Sequence, residues 1–412
     1  MQPPHDLALP ILDRRLSAAS PAPLAVAFSG GGDSLALLLI TLDWARAHGR
    51  SVVALTVDHG LNPLSGGWTA RCGETARRLG ADFQALNWVG EKPATGLSAA
   101  ARAARHALLA EAAREAGARV ILMGHTADDL AESAAMRAEG SSVPDARQWA
   151  PSPAWPQGRD LFLLRPLLDV GRQALRDYLR QAGETWIDDP ANADMRSARS
   201  RARAALTAGA AAADPSRRAP GPTAAPSDPG VSGTDGILTL PRSAAPATIA
   251  MAALCAAGTT RPPRSDSLSR IAAGLRAGEP FVTTLAGARI VVGWADIQVM
   301  RDAGEVARGG LPSLSLTPGL AMVWDGRFEI AADQPGLTVR ALARLAPKLP
   351  ESQRRRLKSI PAACRPTLPV IVDADGGVSC PILAGDSPVR CRALVLPRFE
   401  AARGGIDIEP GP

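Results

Sequence analysis

Lysine is nearly missing from this chain of 412 residues: Lys92, Lys348 and Lys358 are the whole set, so its net charge of +6 is carried almost entirely by arginine. That balance permits a polyanionic partner without requiring one, since the same arginine and alanine usage is what a compositional bias of the source genome produces. Cysteine is scarce and scattered, at Cys72, Cys255, Cys364, Cys380 and Cys391, with no Cys-x-x-Cys pair. Neither a zinc site nor a disulfide scaffold is suggested. No apolar run is long enough to span a membrane, and Met1 to Asp6 lacks the basic-then-apolar pattern of a secretory signal. The expectation is a cytoplasmic protein with no membrane partner and enough length for two or three cored domains.

What is present is organised around one stretch. Leu24 to Phe28 is an apolar run of strand length, Ser29-Gly30-Gly31-Gly32-Asp33-Ser34 follows, and Leu35 to Ile40 is an apolar run that opens a helix. Consecutive glycines let backbone N–H groups converge on an anion at the positive end of a helix dipole, and Ser29 and Ser34 add hydroxyl donors. The Gly-Lys-Ser/Thr ending of a Walker A loop is missing, as is the spacing of a dinucleotide fingerprint. A plain glycine-rich turn capped by Asp33-Ser34 is the bland alternative. The hexapeptide resembles the Ser-Gly-Gly-x-Asp-Ser pyrophosphate loop of the ATP pyrophosphatases that cleave ATP between the α and β phosphates. The resemblance implies ATP at residues 29–34 and magnesium placed by Asp33.

The following segments alternate between buried strand and amphipathic helix. Ser51 to Val57 reads as a second strand ending in Asp58-His59, Gly67 to Leu79 as a helix, Phe83 to Trp88 as a third strand. A helix over Ser98 to Ala116, a fourth strand at Val120 to Met123 and a fifth at Leu161 to Leu164 continue the pattern, with a helix from Gly171 to Gln181. The fold class is α/β: a parallel five-stranded sheet with helices on both faces, whose ligands sit beyond the carboxyl ends of its strands. After strand four, His125, Asp129 and Glu132 are spaced i, i+4 and i+7, which puts an imidazole and two carboxylates on one side of a helix start. Thr126-x-x-Asp129 also reads as a capping box, and that alternative stays open. So does a simple strand-ending turn at Asp58-His59.

Several motifs in order resemble the tRNA(Ile)-lysidine synthetase family: Val57 to Leu61 with Ser65, Ala99 to Arg105, Gly124 to Asp129 with Glu132 and Met136-Arg137. Arg165 to Leu168 with Arg172, Tyr178-Leu179, and Trp186 to Pro190 with Asn192 extend the match over roughly residues 24–205. The resemblance implies an enzyme that uses ATP and Mg2+ to adenylate C2 of the wobble cytidine in tRNA(Ile) with a CAU anticodon. Free lysine then displaces AMP. It implies catalytic roles for Asp33, Arg105, His125, Asp129 and Glu132, and ATP contacts from Ser29, Gly30, Gly31, Gly32, Asp33, Ser34, Asp58 and His59. Arg199 and Arg201, on a basic helix, would meet tRNA phosphate, although Ser200 stands where the family carries asparagine. The oligomeric state is left open, a homodimer being one option.

The domain plan is a PP-loop catalytic domain over residues 1–207, a flexible linker over 208–236, a small helical and hairpin domain over 237–308 and an α+β tRNA-binding-like domain over 309–412. In the last part Val323 to Ile330 and Leu368 to Asp373 read as strands, Val339 to Leu345 and Glu351 to Lys358 as helices. Two rival functions are a tRNA thiolase, disfavoured because Cys72 is the only cysteine before residue 255, and a silent nucleotide- or RNA-binding module, disfavoured by intact Asp33, Asp129 and Glu132.

Overall fold

A computed structural model gives the architecture and describes residues 2–141, 146–188, 198–207, 230–263 and 265–411. These group into two compact units, Met1–Thr223 with Ile406–Pro412, and Ala224–Gly405. Residues 208–229 of the expected linker, and Asp189, Pro190 and Asn192 of the expected motifs, lie outside the described residues.

The first unit is an α/β sandwich. Strands β1 (Leu24–Ala27), β2 (Val52–Asp58), β3 (Asp82–Asn87), β4 (Val120–Met123), β5 (Trp149–Pro151) and β6 (Phe162–Leu164) form one sheet in the order β3-β2-β1-β4-β6-β5. Helices are α1 (Pro4–Arg15), α2 (Gly32–Ala47), α3 (Ser65–Leu79), α4 (Leu97–Glu115), α5 (Ala127–Ala138), α6 (Arg172–Gln181) and α7 (Ala198–Thr207). Successive strand residues point to opposite faces, so the continuous apolar runs fill two cores. Leu24, Val26, Val52, Ala54, Val120 and Leu122 pack with residues of α1, α2, α3 and α6, while Ala25, Val53, Leu55, Ile121 and Met123 pack with Leu109, Ala110 and Ala113 of α4. Helix α2, apolar nearly all round, is the central one.

The sheet has one strand more than the sequence predicts. β5 runs antiparallel to β6, with Trp149 opposite Leu164 and its ring stacked on Phe162 at 4.8 Å. Three residues ending in Pro151 carry no periodicity, and proline is tolerated there because the strand lies at an edge.

The second unit holds three antiparallel sheets. Ser232–Thr234, Ile237–Pro241, Phe281–Leu285, Ala288–Val292 and Asp296–Arg301 form the first, packed on helices Pro246–Ala256 and Ser265–Ala277. A four-stranded and a three-stranded sheet come from residues 314–393. The expected boundary at 308 does not separate two cores, because Val395 and Phe399 on helix Val395–Arg403 are buried in the core of the first sheet. Residues 232–234, placed in the linker from sequence, pair with 237–239 across Asp235-Gly236, both at positive φ. A second Asp-Gly step, Asp325-Gly326, turns the single strand expected over 323–330 into a hairpin of Met322–Trp324 and Phe328–Ala331. The helix expected over 339–345 does not form, and its first three residues are strand: Thr338–Ala341 pairs on both edges, and the ladder overrides the helical preference of Ala and Arg. Among the described residues no helix is long and apolar enough to cross a membrane.

Residues 406–411 belong to the first unit, against the expectation that they end a C-terminal domain. Glu409, 4% exposed, accepts two hydrogen bonds from Arg50 at 2.7 and 2.8 Å and one from Ser17 N at 2.9 Å. Arg50 also donates to Ala22 O and Ser17 O, and Trp149 Nε1 donates to Ile406 O at 2.8 Å. The charges are fully satisfied, so removing one partner strands the other. Glu409→Ala is expected to destabilise the first unit by about 3–5 kcal/mol, read as a lowered urea midpoint, and the double change Arg50→Met with Glu409→Leu is expected to recover most of it.

His106 on α4 is buried, and its imidazole is pushed from 6.5 down to about 3 by burial and by Arg105, Arg102 and Arg165. A depressed value means stability that is present above pH 6.5 and is lost as pH falls toward 3. The unfolding free energy read from urea titration is therefore expected to fall on acidification below pH 6.5, by up to about 1.4 kcal/mol per pH unit, and less steeply in His106→Gln.

Candidate active site

The strand order reverses between β1 and β4, so the chain leaving these two strands opens a crevice at their carboxyl ends. Gly124, just past β4, shows how close the two exits come: a Cβ there would lie 3.0 Å from the carbonyl oxygen of Asp33 and 3.1 Å from Ser34 Cα.

On the β1 side, Gly30 has φ +79°, and a side chain would meet Ile187 Cδ1 at 2.6 Å and Cys72 Sγ at 2.8 Å. Glycine is required there on both counts. Ile187 N donates to Gly30 O at 2.9 Å, so the segment around Trp186 lies over the loop. Ser34 Oγ donates to Gly31 O at 2.9 Å, accepts from Ser29 N at 3.2 Å, and lies 3.1 Å from Ser29 Oγ. The two serines thus set the loop's shape as well as offering hydroxyls. Gly31 is the N-cap of α2, and no side chain caps it among the described residues, which leaves the first-turn N–H groups to an anion.

On the β4 side, Thr126 is the N-cap of α5 and the capping box is formed: Thr126 N donates to Asp129 Oδ2 at 2.8 Å. The bland reading of Asp129 is therefore correct for one of its oxygens. The other, Oδ1, accepts from Arg172 at 3.3 Å. Arg172, the first residue of α6, also donates through Nε to Asp33 Oδ2 at 3.1 Å and through Nη1 to Glu132 Oε1 at 3.3 Å. Its backbone N donates to Asp128 Oδ2 at 2.7 Å. Glu132, 1% exposed, receives Arg203 Nε of α7 at 2.7 Å as well. Three of the five expected catalytic residues thus converge on one guanidinium. Burial lowers the basicity of Arg172, but Asp33, Asp129 and Glu132 outweigh it and raise it. Burial raises the Asp33 carboxyl above the usual carboxylate range, aided by Asp129 and Asp128, against the pull of Arg172.

The remaining two belong to a basic group. His125 Nδ1 accepts from Arg165 Nε at 3.2 Å, and Arg165 sits just beyond β6. Burial and the charges of Arg102 and Arg105 bring Arg165 down to about 10. Arg105 on α4 also acts on His59, whose imidazole is lowered by burial first and by that charge second. His59 meets the Trp88 ring edge-on at 6.0 Å, and its buried Nδ1 has no hydrogen-bond partner among the described residues. Asp58 accepts from Gly60 N at 2.8 Å, the local turn that the bland reading anticipates. Arg201 is exposed on α7, and the side chain of Arg199 lies outside the described residues.

Sequence reasoning gave no site role to Arg172, Arg165, Arg203 or Asp128. Arg165 and Arg172 stood within a recognised motif, yet nothing in their type or spacing showed that they turn back across the crevice.

A family model described as a PP-loop domain matches residues 11–209. A tRNA(Ile)-lysidine synthase of Caulobacter vibrioides is 54% identical, with 97% of each chain covered. One of Brucella melitensis is 36% identical over 73% of this chain and 72% of its own. Among solved structures a U34-tRNA thiolase of Methanococcus maripaludis superposes with TM-score 0.41 and 15% identity, covering 49% of this chain and 72% of that one. That superposition is partial, and the fold assignment rests on the strand order and the family model. With the glycine loop and the carboxylate motif in place and near-complete alignment at more than half identity, this chain belongs to the tRNA(Ile)-lysidine synthase family.

Proposed function

We propose that this chain is an ATP-dependent carbon–nitrogen ligase that converts the wobble cytidine of tRNA(Ile) with a CAU anticodon into lysidine, working in the cytoplasm. The observation that carries the reading is the meeting of the uncapped start of α2 with three carboxylates held by Arg172.

In the first step the C2 oxygen of cytidine attacks the α-phosphorus of ATP, the Pα–O bond to the β-phosphate breaks, and pyrophosphate leaves with the electron pair. Residues 29–34 would grip that pyrophosphate through backbone N–H groups. Magnesium fits the donor set: Asp33 offers a hard carboxylate at the loop, and Mg2+ takes one or two protein carboxylates with phosphates and water completing its shell. When bound, the ion would supply charge neutralisation for the leaving group.

In the second step the lysine ε-nitrogen attacks C2, the C2–O bond breaks and AMP leaves with the pair. Lysine's amine has an ordinary pKa of about 10.4, so a proton must be removed before or during attack. Asp129 and Glu132 are the acceptors we assign, and they would also draw the ammonium form in. Arg105 and His125 would face the negative charge of the adenylate, with Asp58 and His59 toward the adenosine end. Arg199 and Arg201, and the exposed Arg354, Arg355, Arg356 and Lys358 of the second unit, would meet tRNA phosphate.

Labelled lysine is expected to enter unmodified CAU-anticodon tRNA(Ile) only with ATP present, with AMP and pyrophosphate released in step. Asp33→Ala is expected to reduce incorporation at least about 100-fold. Asp129→Asn keeps a side chain able to cap α5, so ATP affinity is expected to hold while lysidine formation falls about 10²–10⁴-fold. Full turnover in Asp129→Asn would sink the carboxylate assignment. AMP release on another tRNA without lysine uptake would redirect the reading to a different tRNA modification.

A further inference from the structure

The carboxylate side of the crevice has its cation in Arg172, but the buried cation on the other side, Arg165, has a different kind of partner. Arg165 is 6% exposed, and among the described residues no carboxylate accepts from it. Its Nε donates to His125 Nδ1 at 3.2 Å and its Nη1 to Arg147 O at 2.8 Å, while its backbone N donates to Gln148 O at 2.8 Å. The edge segment leading into β5 therefore holds Arg165 by both main chain and side chain. The imidazole is fixed from its own side as well, since His125 N donates to Met123 O at 2.9 Å and the next residue is the N-cap of α5.

We propose that Arg165 is a positioning residue that fixes the proton of His125 on Nε2, so that the ring meets the substrate as a hydrogen-bond donor. A guanidinium N–H only donates. The nitrogen it reaches must offer a lone pair, and a neutral imidazole with an accepting Nδ1 carries its hydrogen on Nε2. A second proton on Nδ1 would point at the Arg165 N–H. The ring is thus held in the one form suited to an anionic oxygen, such as an adenylate phosphoryl oxygen, and is unsuited to taking the lysine proton. That task falls to the carboxylates.

Arginine is needed for the purpose. At about 10 its guanidinium remains charged near neutral pH even when buried beside Arg102 and Arg105. A lysine at the same place would be prone to lose its proton, and a neutral amine can accept as well as donate. Arg165→Lys is therefore expected to behave like Arg165→Met and not as a conservative change.

The ring assignment stands on geometry alone; its catalytic consequence rests on the lysidine-forming reading. The test is a two-bond proton–nitrogen correlation spectrum of the full chain labelled with 15N-histidine, at pH 7. With five histidines, a His125→Gln spectrum assigns the signal. The wild type is expected to show a protonated Nε2 and an unprotonated Nδ1 at His125, and both Arg165 variants are expected to lose that pattern. Their kcat for lysine-dependent AMP release is expected to fall about 100-fold, with KM for ATP within about threefold. A proton on Nδ1 in the wild type overturns the proposal, and this spectrum decides it even if neither variant folds. A folded Arg165→Met with the wild-type pattern overturns it too, and an altered pattern with unchanged kcat overturns its catalytic half. If the wild type makes no lysidine, the proposed reaction fails while the spectrum still decides the ring.

Discussion

One guanidinium against three carboxylates is the constraint on which the site depends. Asp33 comes from the first turn of α2, Asp129 and Glu132 from α5, and Arg172 from the start of α6. Brought together alone, three carboxylates, Glu132 buried and Asp33 and Asp129 half-buried, would repel one another and favour protonation. Arg172 allows them to share one crevice, and Asp33 is still pushed up, first by burial and then by Asp129 and Asp128. The glycine loop obeys the same geometry. Gly124 can approach the backbone of Asp33 and Ser34 only because it lacks a side chain, so the two halves of the site are set by the spacing of β1 and β4.

Charge is sorted within that crevice. Carboxylates and Arg172 occupy one side, while Arg102, Arg105 and Arg165 bear on the histidines of the other. Such a division suits a reaction that brings a cationic nucleophile to an anionic adenylate, because each reactant meets its own counter-field without neutralising the other's. His106 and His59 are both depressed by burial and neighbouring arginines.

What was legible in the sequence was local. The strand, glycine loop and helix of residues 24–40 announce themselves because apolar run length and glycine placement are set by neighbours in sequence, and the exit of β4 was readable from the spacing of His125, Asp129 and Glu132. The capping reading of Asp129 holds for one of its oxygens, while the other meets Arg172. Arg172 and Arg165 were visible as letters but not as partners: their contacts lie 139 residues from Asp33 and 40 from His125. The errors have the same origin. Strand β5 is three residues long and exists by pairing with β6, and Thr338–Ala341 is extended because strands on both sides claim its backbone. The Asp-Gly turns at 235–236 and 325–326 are a different matter, being local signals that the sequence does contain.

The bond between Arg50 and Glu409 spans 359 residues. Synthesis from the amino terminus lays down β1, β2 and the glycine loop early, yet leaves the guanidinium of Arg50 without its acidic partner until residue 409 has emerged. The residues of the first unit are thus complete only after the whole of 224–405 has been made. A chain cut short anywhere before 409 would carry the glycine loop on a scaffold in which Arg50 lacks its carboxylate partner. Incomplete copies would accordingly be less stable than the full chain.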